Sequence, residues 1–167
     1  MNDELTASDL AKIEAEIEER KLVLRPKLIE AVKEARAQGD LSENFEYYAA
    51  KREKNRNESR IRYLERMVRT AVVISDDSKA DEVGLNNTVT VLFEEEGETE
   101  TYRIVTTVRE DSLNGLISKE SPLGAALIGH REGDRVRVQV SADYAYHVLI
   151  QKIENTEDDS NDRIRGF

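Results

Sequence analysis

The sequence predicts an α+β protein in which an antiparallel helical hairpin precedes a small sheet domain. The N-terminal part is rich in Glu, Lys, Arg, Ala and Leu with apolar residues at helical spacing, whereas the part after Ala71 alternates apolar and polar residues as strands do. The 167 residues are 36% charged and include six Tyr, three Phe and no Trp, which leaves little apolar surface for one large core. We therefore expect two small units.

The first helix is expected from residue 7 to about residue 38. Ser8 is a candidate N-cap, and Gly39 is a candidate residue for closing the helix. Pro26 removes one backbone hydrogen bond, so we expect a kink there. The apolar stripe consists of Leu10, Ile13, Ile17, Leu24, Leu28, Val32 and Ala35.

A second helix is expected from about residue 42 to residue 70, with a seven-residue pattern along one face. The seam positions are Tyr47, Ala50, Lys54, Asn57, Ile61, Leu64, Val68 and Ala71. Because the connection between the two helices is short, they must run antiparallel, as a coiled-coil hairpin. Arms of about 30 residues would reach roughly 45 Å at 1.5 Å per residue.

The C-terminal part predicts a small antiparallel sheet with one short helix. The helix follows Ser121, a candidate N-cap, with Pro122 at its first position. The expected strands are 88–93, 99–105, 135–140 and 146–150. The expected division of the chain is hairpin 1–74, linker 75–81, sheet domain 82–153 and an acidic tail, 154–167, which we expect to be mobile.

Charge and composition exclude several classes of protein. The net charge of -10 argues against a nucleic-acid binder in its own right. Between Lys33 and Arg69, however, ten Lys or Arg residues outnumber seven acidic ones, a local net charge of +3. The absence of Cys excludes disulfides and thiolate metal sites. With no apolar run of about 18 residues and no basic, apolar leader, we expect a cytoplasmic protein without a membrane partner.

Two carboxylates, Asp40 and Glu43, lie three residues apart in the turn between the helices. One interpretation is structural, with Asp40 as N-cap of the second helix and Glu43 as its reciprocal partner. The other is half of a metal site. Mg²⁺ takes six oxygen ligands, so two side chains on an exposed tip hold it only if a partner supplies the rest.

The stretch from Glu34 to Lys51 resembles the signature of the Gre transcription elongation factors, centred on Gly-Asp-Leu-x-Glu-Asn-x-Glu-Tyr at residues 39–47. Residues 101–105 and 115–134 also match, and the resemblance spans roughly residues 8 to 153. Leu41 is more similar to the GreA branch of that family. The N-terminal residues before 8 and the turn at 141–144 depart from the family pattern, and neither touches the tip.

The resemblance implies a coiled coil that enters the secondary channel of bacterial RNA polymerase, with an FKBP-like domain at the channel rim. Such a factor, expected to be a monomer, is not itself an enzyme but stimulates the polymerase to cut the 3′ end of a backtracked transcript. Asp40 and Glu43 match the tip acids that help hold the second catalytic Mg²⁺ and position the attacking water. No metal is expected on the chain alone.

The resemblance also implies supporting roles at three places. The basic patch facing the nascent RNA 3′ end consists of Arg36, Lys51 and Arg52. The tip loop is supported by Gly39, Leu41, Ser42 and Asn44. The polymerase-docking residues of the C-terminal domain are Ser121, Pro122, Leu123 and Gly124. Tyr47 and Tyr48 could stack on a base, but the seam position of Tyr47 favours packing.

Three alternatives remain open. A factor with the same fold could block the polymerase instead of stimulating cleavage, although such relatives are expected to have an altered tip. The FKBP-like domain could be a prolyl isomerase, but the chain lacks the Trp that floors the pocket of those enzymes. A coiled-coil scaffold would explain the hairpin and leave the two acids unexplained.

Overall fold

The computed structural model describes residues 3–38, 44–79, 81–156 and 159–166. These residues form two compact units. The first, which we term the helical unit, comprises residues 10–71, and the second, the sheet unit, comprises residues 3–9 together with 72–166. No helix among the described residues is long and apolar enough to cross a membrane.

The first arm of the hairpin is three helical segments in succession. α1 is Ala7–Glu19, a π-helical segment follows at Arg20–Leu24, and α2 is Arg25–Arg36. The discontinuity expected at Pro26 therefore takes the form of a widened turn directly before the proline. Pro26 has no N–H to donate, and its ring crowds the carbonyl four residues earlier, so a local change in helical pitch relieves both problems.

The second arm, α3, is Phe45–Thr70, and it runs antiparallel to the first, as expected. Arg25 pairs with Glu58 at 2.8 Å, and Lys21, four residues earlier, pairs with Glu65, seven residues later, at 3.0 Å. Residue numbers along the first arm therefore fall as those of their partners on α3 rise, which is the pattern of antiparallel helices. The buried residues of α3 are Tyr47, Asn57, Arg60, Ile61, Leu64 and Met67. Four of the eight expected seam positions are therefore buried, whereas the other four are only half-buried, and Arg60 and Met67 were not expected. The half-buried positions are Ala50, Lys54, Val68 and Ala71.

The sheet unit confirms the α+β class. Its strands are β1 (Glu4–Leu5), β2 (Val72–Val73), β3 (Asn87–Phe93), β4 (Glu98–Val105), β5 (Leu116–Ser118), β6 (Arg135–Gln139) and β7 (Ala145–Asn155), and its helix α4 is Pro122–Leu127. β1 and β2 form a small parallel pair. The main sheet has the order β5-β4-β3-β7-β6. Its β4–β5 pair is parallel, so the sheet is mixed where an antiparallel one was expected.

The core of the sheet unit lies between α4 and one face of the main sheet. Val89 and Val91 are fully buried, and Thr88 and Thr90, which alternate with them, are not, as strand alternation requires. Leu123 and Leu127 of α4 belong to the same buried cluster. This packing fixes the position of the α4 N-terminus.

The ends of the sheet unit differ from the expected boundaries. The N-terminal residues 3–9 and residues 72–81 belong to this unit. β7 continues two residues past 153, and the segment beyond it is tied to the domain. The Asp162 carboxylate accepts hydrogen bonds from Arg103 and from Arg109 Nη1, the latter at 2.9 Å.

Candidate functional site at the end of the hairpin

The connection between the two arms carries the candidate site. α2 ends at Arg36, and α3 begins at Phe45. Five of the expected site residues, Gly39, Asp40, Leu41, Ser42 and Glu43, lie outside the described residues. The described part of the site is the frame on either side of them.

Asn44 holds the two arms together at this end. Its Oδ1 accepts the backbone N–H of Tyr47 at 3.0 Å, which makes Asn44 the N-cap of α3. Its Nδ2 donates to the carbonyl oxygen of Ala35 at 2.6 Å, in the last turn of α2. One amide side chain thus caps one helix and bridges to the other.

This arrangement corrects the capping interpretation of the two acids. Asp40 was expected as the N-cap of the second helix and Glu43 as its partner, but that helix starts at Phe45 and Asn44 is the cap. The physical reason is that an amide both accepts and donates, whereas a carboxylate only accepts. Capping of α3 therefore gives no reason for either acid to be present.

Arg36, the first residue of the expected basic patch, crosses to the other arm. Its guanidinium carbon lies 5.6 Å from the centroid of the Tyr47 ring, and Nη2 donates to the Tyr47 hydroxyl oxygen at 3.4 Å. This hydrogen bond and the positive charges of Lys51 and Arg36 lower the pKa of Tyr47. Tyr47 itself is buried, so it packs in the seam and is not available for stacking.

Lys51 and Arg52, the other two patch residues, are exposed on α3. Beside them are two exposed aromatic rings, Phe45 at 85% and Tyr48 at 47% of their full accessible area. Phe45 was not among the residues expected at the site. The spacing of residues along the helix predicts that Phe45 is exposed, because positions 45, 48 and 52 share one helix face opposite the seam.

The expected docking residues have structural roles of their own. Ser121 is the N-cap of α4, as expected, since its Oγ accepts from Gly124 N at 3.0 Å. A Cβ on Gly124 would lie 2.1 Å from the Ser118 carbonyl oxygen, so the close approach of two backbones requires glycine here. Leu123 is buried, and Pro122 is exposed. Only Ser121 and Pro122 present accessible surface.

The described residues contain no metal site of their own. No group of three or more His, Asp or Glu side chains in these segments is arranged to hold a metal ion. Asp40 and Glu43, the two acids expected to take part in metal binding, are not among the described residues.

Comparisons with known proteins agree with this arrangement of two units. A family model described as transcription elongation factor, N-terminal, matches residues 4–73, and one described as transcription elongation factor, GreA/GreB, C-terminal, matches residues 77–155. Transcription elongation factor GreA of Streptococcus gordonii is 44% identical over 154 residues, which are 92% of this chain and 96% of that protein. GreA of Streptococcus sanguinis is 44% identical over 153 residues, 91% and 95% of the two chains.

Among solved structures, GreA factor homolog 1 of Thermus thermophilus is 25% identical, with 93% of this chain and 100% of that chain covered and a TM-score of 0.43. The Nitrosomonas europaea transcription elongation factor GreA/GreB has 18% identity, coverage of 92% and 98%, and a TM-score of 0.39. Both scores are low, and the family assignment depends on the family models and the curated relatives.

Proposed function

Because the chain belongs to the GreA/GreB family of transcription elongation factors, on its GreA branch, we propose that it acts through bacterial RNA polymerase. In this proposal the hairpin enters the secondary channel of the polymerase and stimulates cleavage of backtracked transcripts. The polymerase is the enzyme, and the chain is an accessory factor. Its place of action is the bacterial cytoplasm, where the polymerase works.

The observation that supports this proposal is the closure of the hairpin at Asn44 and Ala35. The hydrogen bond between them brings α2 and α3 together immediately before and after the acidic connection. α3 has 26 residues, and at 1.5 Å per residue it is roughly 39 Å long. The loop at the end of this arm contains Asp40 and Glu43. An arm of that length could bring their carboxylates into a recessed site.

Asp40 and Glu43 would supply only part of a coordination shell. Carboxylate oxygens are the ligands that Mg²⁺ prefers, and six are needed, so the remaining ligands come from the polymerase and the RNA. The metal, when bound there, activates water and stabilises the leaving oxygen of the phosphodiester. In this proposal the two acids orient that site and accept hydrogen bonds from the attacking water.

The basic patch would hold the transcript end. Lys51 and Arg52 are exposed on α3, where Coulombic contact with a flexible strand needs no fixed geometry. Arg36 is pre-oriented by its contact with Tyr47. The second unit would dock at the channel rim through the accessible residues Ser121 and Pro122. We propose that the chain is a monomer and that one chain binds one polymerase.

A cleavage assay tests the proposal. Backtracked complexes of a cognate polymerase, with the transcript labelled at its 3′ end and Mg²⁺ present, should release short labelled fragments when the protein is added. A factor that blocks the channel would bind the complexes and suppress the intrinsic cleavage instead. The absence of any stimulation, with binding demonstrated, would show that the proposed activity is wrong.

A further inference from the structure

The sheet unit contains a cavity beside β4 and β5. Its volume is about 630 Å³, within the range of roughly 300–1,000 Å³ that is typical of small-molecule sites. One wall comes from the C-terminal segment, at residues 161–163 and Arg165. The backbone N–H of Arg165 donates to the Val108 carbonyl oxygen at 2.7 Å, and Asp162 accepts from Arg109. The cavity therefore depends on the docked position of this segment.

Four arginines line the cavity, two from the body of the sheet unit and two from the docked segment. Arg103 lies on β4, and Arg109 ends the short 3₁₀ turn that follows β4. Arg163 and Arg165 are exposed on the docked segment. A guanidinium group offers N–H donors in a planar fork that matches the oxygens of phosphate. This set of side chains is therefore suited to an anionic ligand.

Two of these arginines each have one N–H without an acceptor. Arg109 is fully buried, and its Nη1 donates to Asn86 and Asp162 at 2.8 Å and 2.9 Å. Its Nε lies 2.6 Å from an Asp9 carboxylate oxygen. Within the described segments, neither Arg109 Nη2 nor Arg103 Nε has a hydrogen-bond partner. A charged donor that is buried without an acceptor is unfavourable, so these two donors beside the cavity indicate an acceptor-rich ligand.

The acids of the cavity narrow the class of ligand. Asp162 is shared by the two buried arginines, and Glu110 pairs with Arg165 at 3.5 Å. Asp111 accepts from Asn114 Nδ2 at 2.6 Å through one carboxylate oxygen, which leaves the other oxygen for a further donor. Carboxylates repel phosphate but accept hydrogen bonds from hydroxyl groups, as acidic residues do from ribose in dinucleotide sites. A ligand with both phosphates and hydroxyl groups satisfies the whole lining.

We propose that this cavity binds a nucleotide, with the arginines on its phosphates and Asp111 on a ribose hydroxyl. Leu116, which is half-buried in the lining, offers apolar surface to the base. The proposal goes beyond the proposed function, because its argument uses neither the hairpin nor transcript cleavage. A ligand that binds only the docked form of the C-terminal segment also stabilises that form.

The first test separates the parts of the ligand. Isothermal titration calorimetry of the full chain is run with ADP, with pyrophosphate and with adenosine, each up to about 1 mM. ADP should bind saturably at one site per chain. Pyrophosphate, which lacks the ribose and base, should bind more weakly, and adenosine, which lacks the phosphates, should not bind.

The second test uses matched variants. Arg163→Gln/Arg165→Gln removes the two cations of the docked segment. Arg137→Gln/Lys152→Gln removes two exposed cations of the main sheet that do not line the cavity, with the same change in net charge. The first pair should raise the Kd for ADP at least about tenfold, the effect of one lost hydrogen bond between charged groups, and the second pair should leave it within about twofold. Asp111→Ala should weaken binding of ADP and not of pyrophosphate.

A third measurement observes a buried arginine directly. The Arg103 Nε–H resonance, assigned by triple-resonance NMR, should shift when ADP is added, because this N–H gains an acceptor. An unshifted resonance during saturable binding would place the ligand elsewhere and overturn the proposal.

Three calorimetric results would also overturn it. One is no saturable binding of ADP by the wild type. Another is equal weakening by the two double variants, which would indicate general attraction to any surface cation. The third is pyrophosphate binding as tight as that of ADP, which would reduce the cavity to a simple anion site. Thermal unfolding at 222 nm checks that every variant is folded.

Discussion

The Asn44 Nδ2 donates to the carbonyl oxygen of Ala35 at 2.6 Å and so joins the end of α2 to the start of α3. The same side chain caps α3 through the Tyr47 N–H. These two roles are separable by substitution, because Asp accepts the capping hydrogen bond and cannot donate to a carbonyl.

Asn44→Asp should therefore keep helicity and lose the bridge. If the bridge positions the tip loop, stimulated cleavage should fall roughly ten- to a hundredfold, the cost of a misplaced catalytic group. Asn44→Ala should also lose about 1 kcal/mol of stability with the cap. Circular dichroism and the cleavage assay, run on both variants, check this. Wild-type cleavage by Asn44→Asp would show that the bridge has no part in function.

The stability of the helical unit should depend on pH through Glu16. Burial raises the pKa of this carboxyl, but hydrogen bonds and charges from Arg60 and Arg20 outweigh burial and leave the pKa below 4.5. A lowered pKa means that the stabilisation is complete above about pH 4.5 and is lost as the pH falls through the folded-state value.

The comparison of wild type with Glu16→Gln measures this contribution. At pH 6.5 the substitution should cost about 1–2 kcal/mol, as for hydrogen bonds to charged groups. Thermal unfolding at 222 nm should show the difference shrinking as the pH falls below about 4.5. Glu14→Gln, at an exposed position of the same helix, is the control, and it should change the stability little at pH 6.5 or at acidic pH. A Glu16 effect that is independent of pH would exclude the charge as its cause.

Gly124→Ala should destabilise the sheet unit. The new Cβ would lie 2.1 Å from the Ser118 carbonyl oxygen and 2.9 Å from the Ser121 hydroxyl, so the α4 N-terminus must move. We expect a loss of about 1–3 kcal/mol, typical of overpacking, in urea unfolding. Gly166→Ala, where no atom lies within 4 Å of the built Cβ, is the matched control. Equal effects of the two substitutions would contradict the packing argument.

Asp162→Asn should also destabilise the sheet unit, although the position follows the last strand. Arg109 is fully buried between Asp9, at 2.6 Å, and Asp162, at 2.9 Å. Removing one charge leaves Arg103 and Arg109 with poorer partners, at a cost of about 1–3 kcal/mol. Urea unfolding checks the loss, with Asp143→Asn in an exposed turn as control. An unchanged midpoint would mean that the tail is not part of the folded unit.

The long elements of this fold follow from local pattern. The helical stripe of α3 and the alternation of β3 extend over several periods, so each predicts its own structure without knowledge of the rest. The two-residue strands β1 and β2 have no period to detect, and β5, three residues long, gave no indication of its parallel pairing with β4.

The N-cap of α3 could not be predicted from the sequence alone. Asp40, Ser42 and Asn44 are all good capping residues, and spacing does not choose between them. In the structure Asn44 is the cap, and its amide also donates to the Ala35 carbonyl oxygen on the other arm, a contact between segments that the spacing of the three residues does not reveal. Asp162 was assigned to a mobile tail for a similar reason, since its partners Arg103 and Arg109 are more than fifty residues away in sequence.

The role assigned to the tip acids is tested by the rate of transcript cleavage in backtracked complexes with wild type, Asp40→Asn and Glu43→Gln side by side. Both substitutions keep the side-chain volume and remove one carboxylate charge. We predict that each lowers the stimulated rate by about a hundredfold, the usual cost of losing one transition-state contact, while polymerase binding is unchanged. Wild-type cleavage rates in both variants would contradict the proposed role of Asp40 and Glu43.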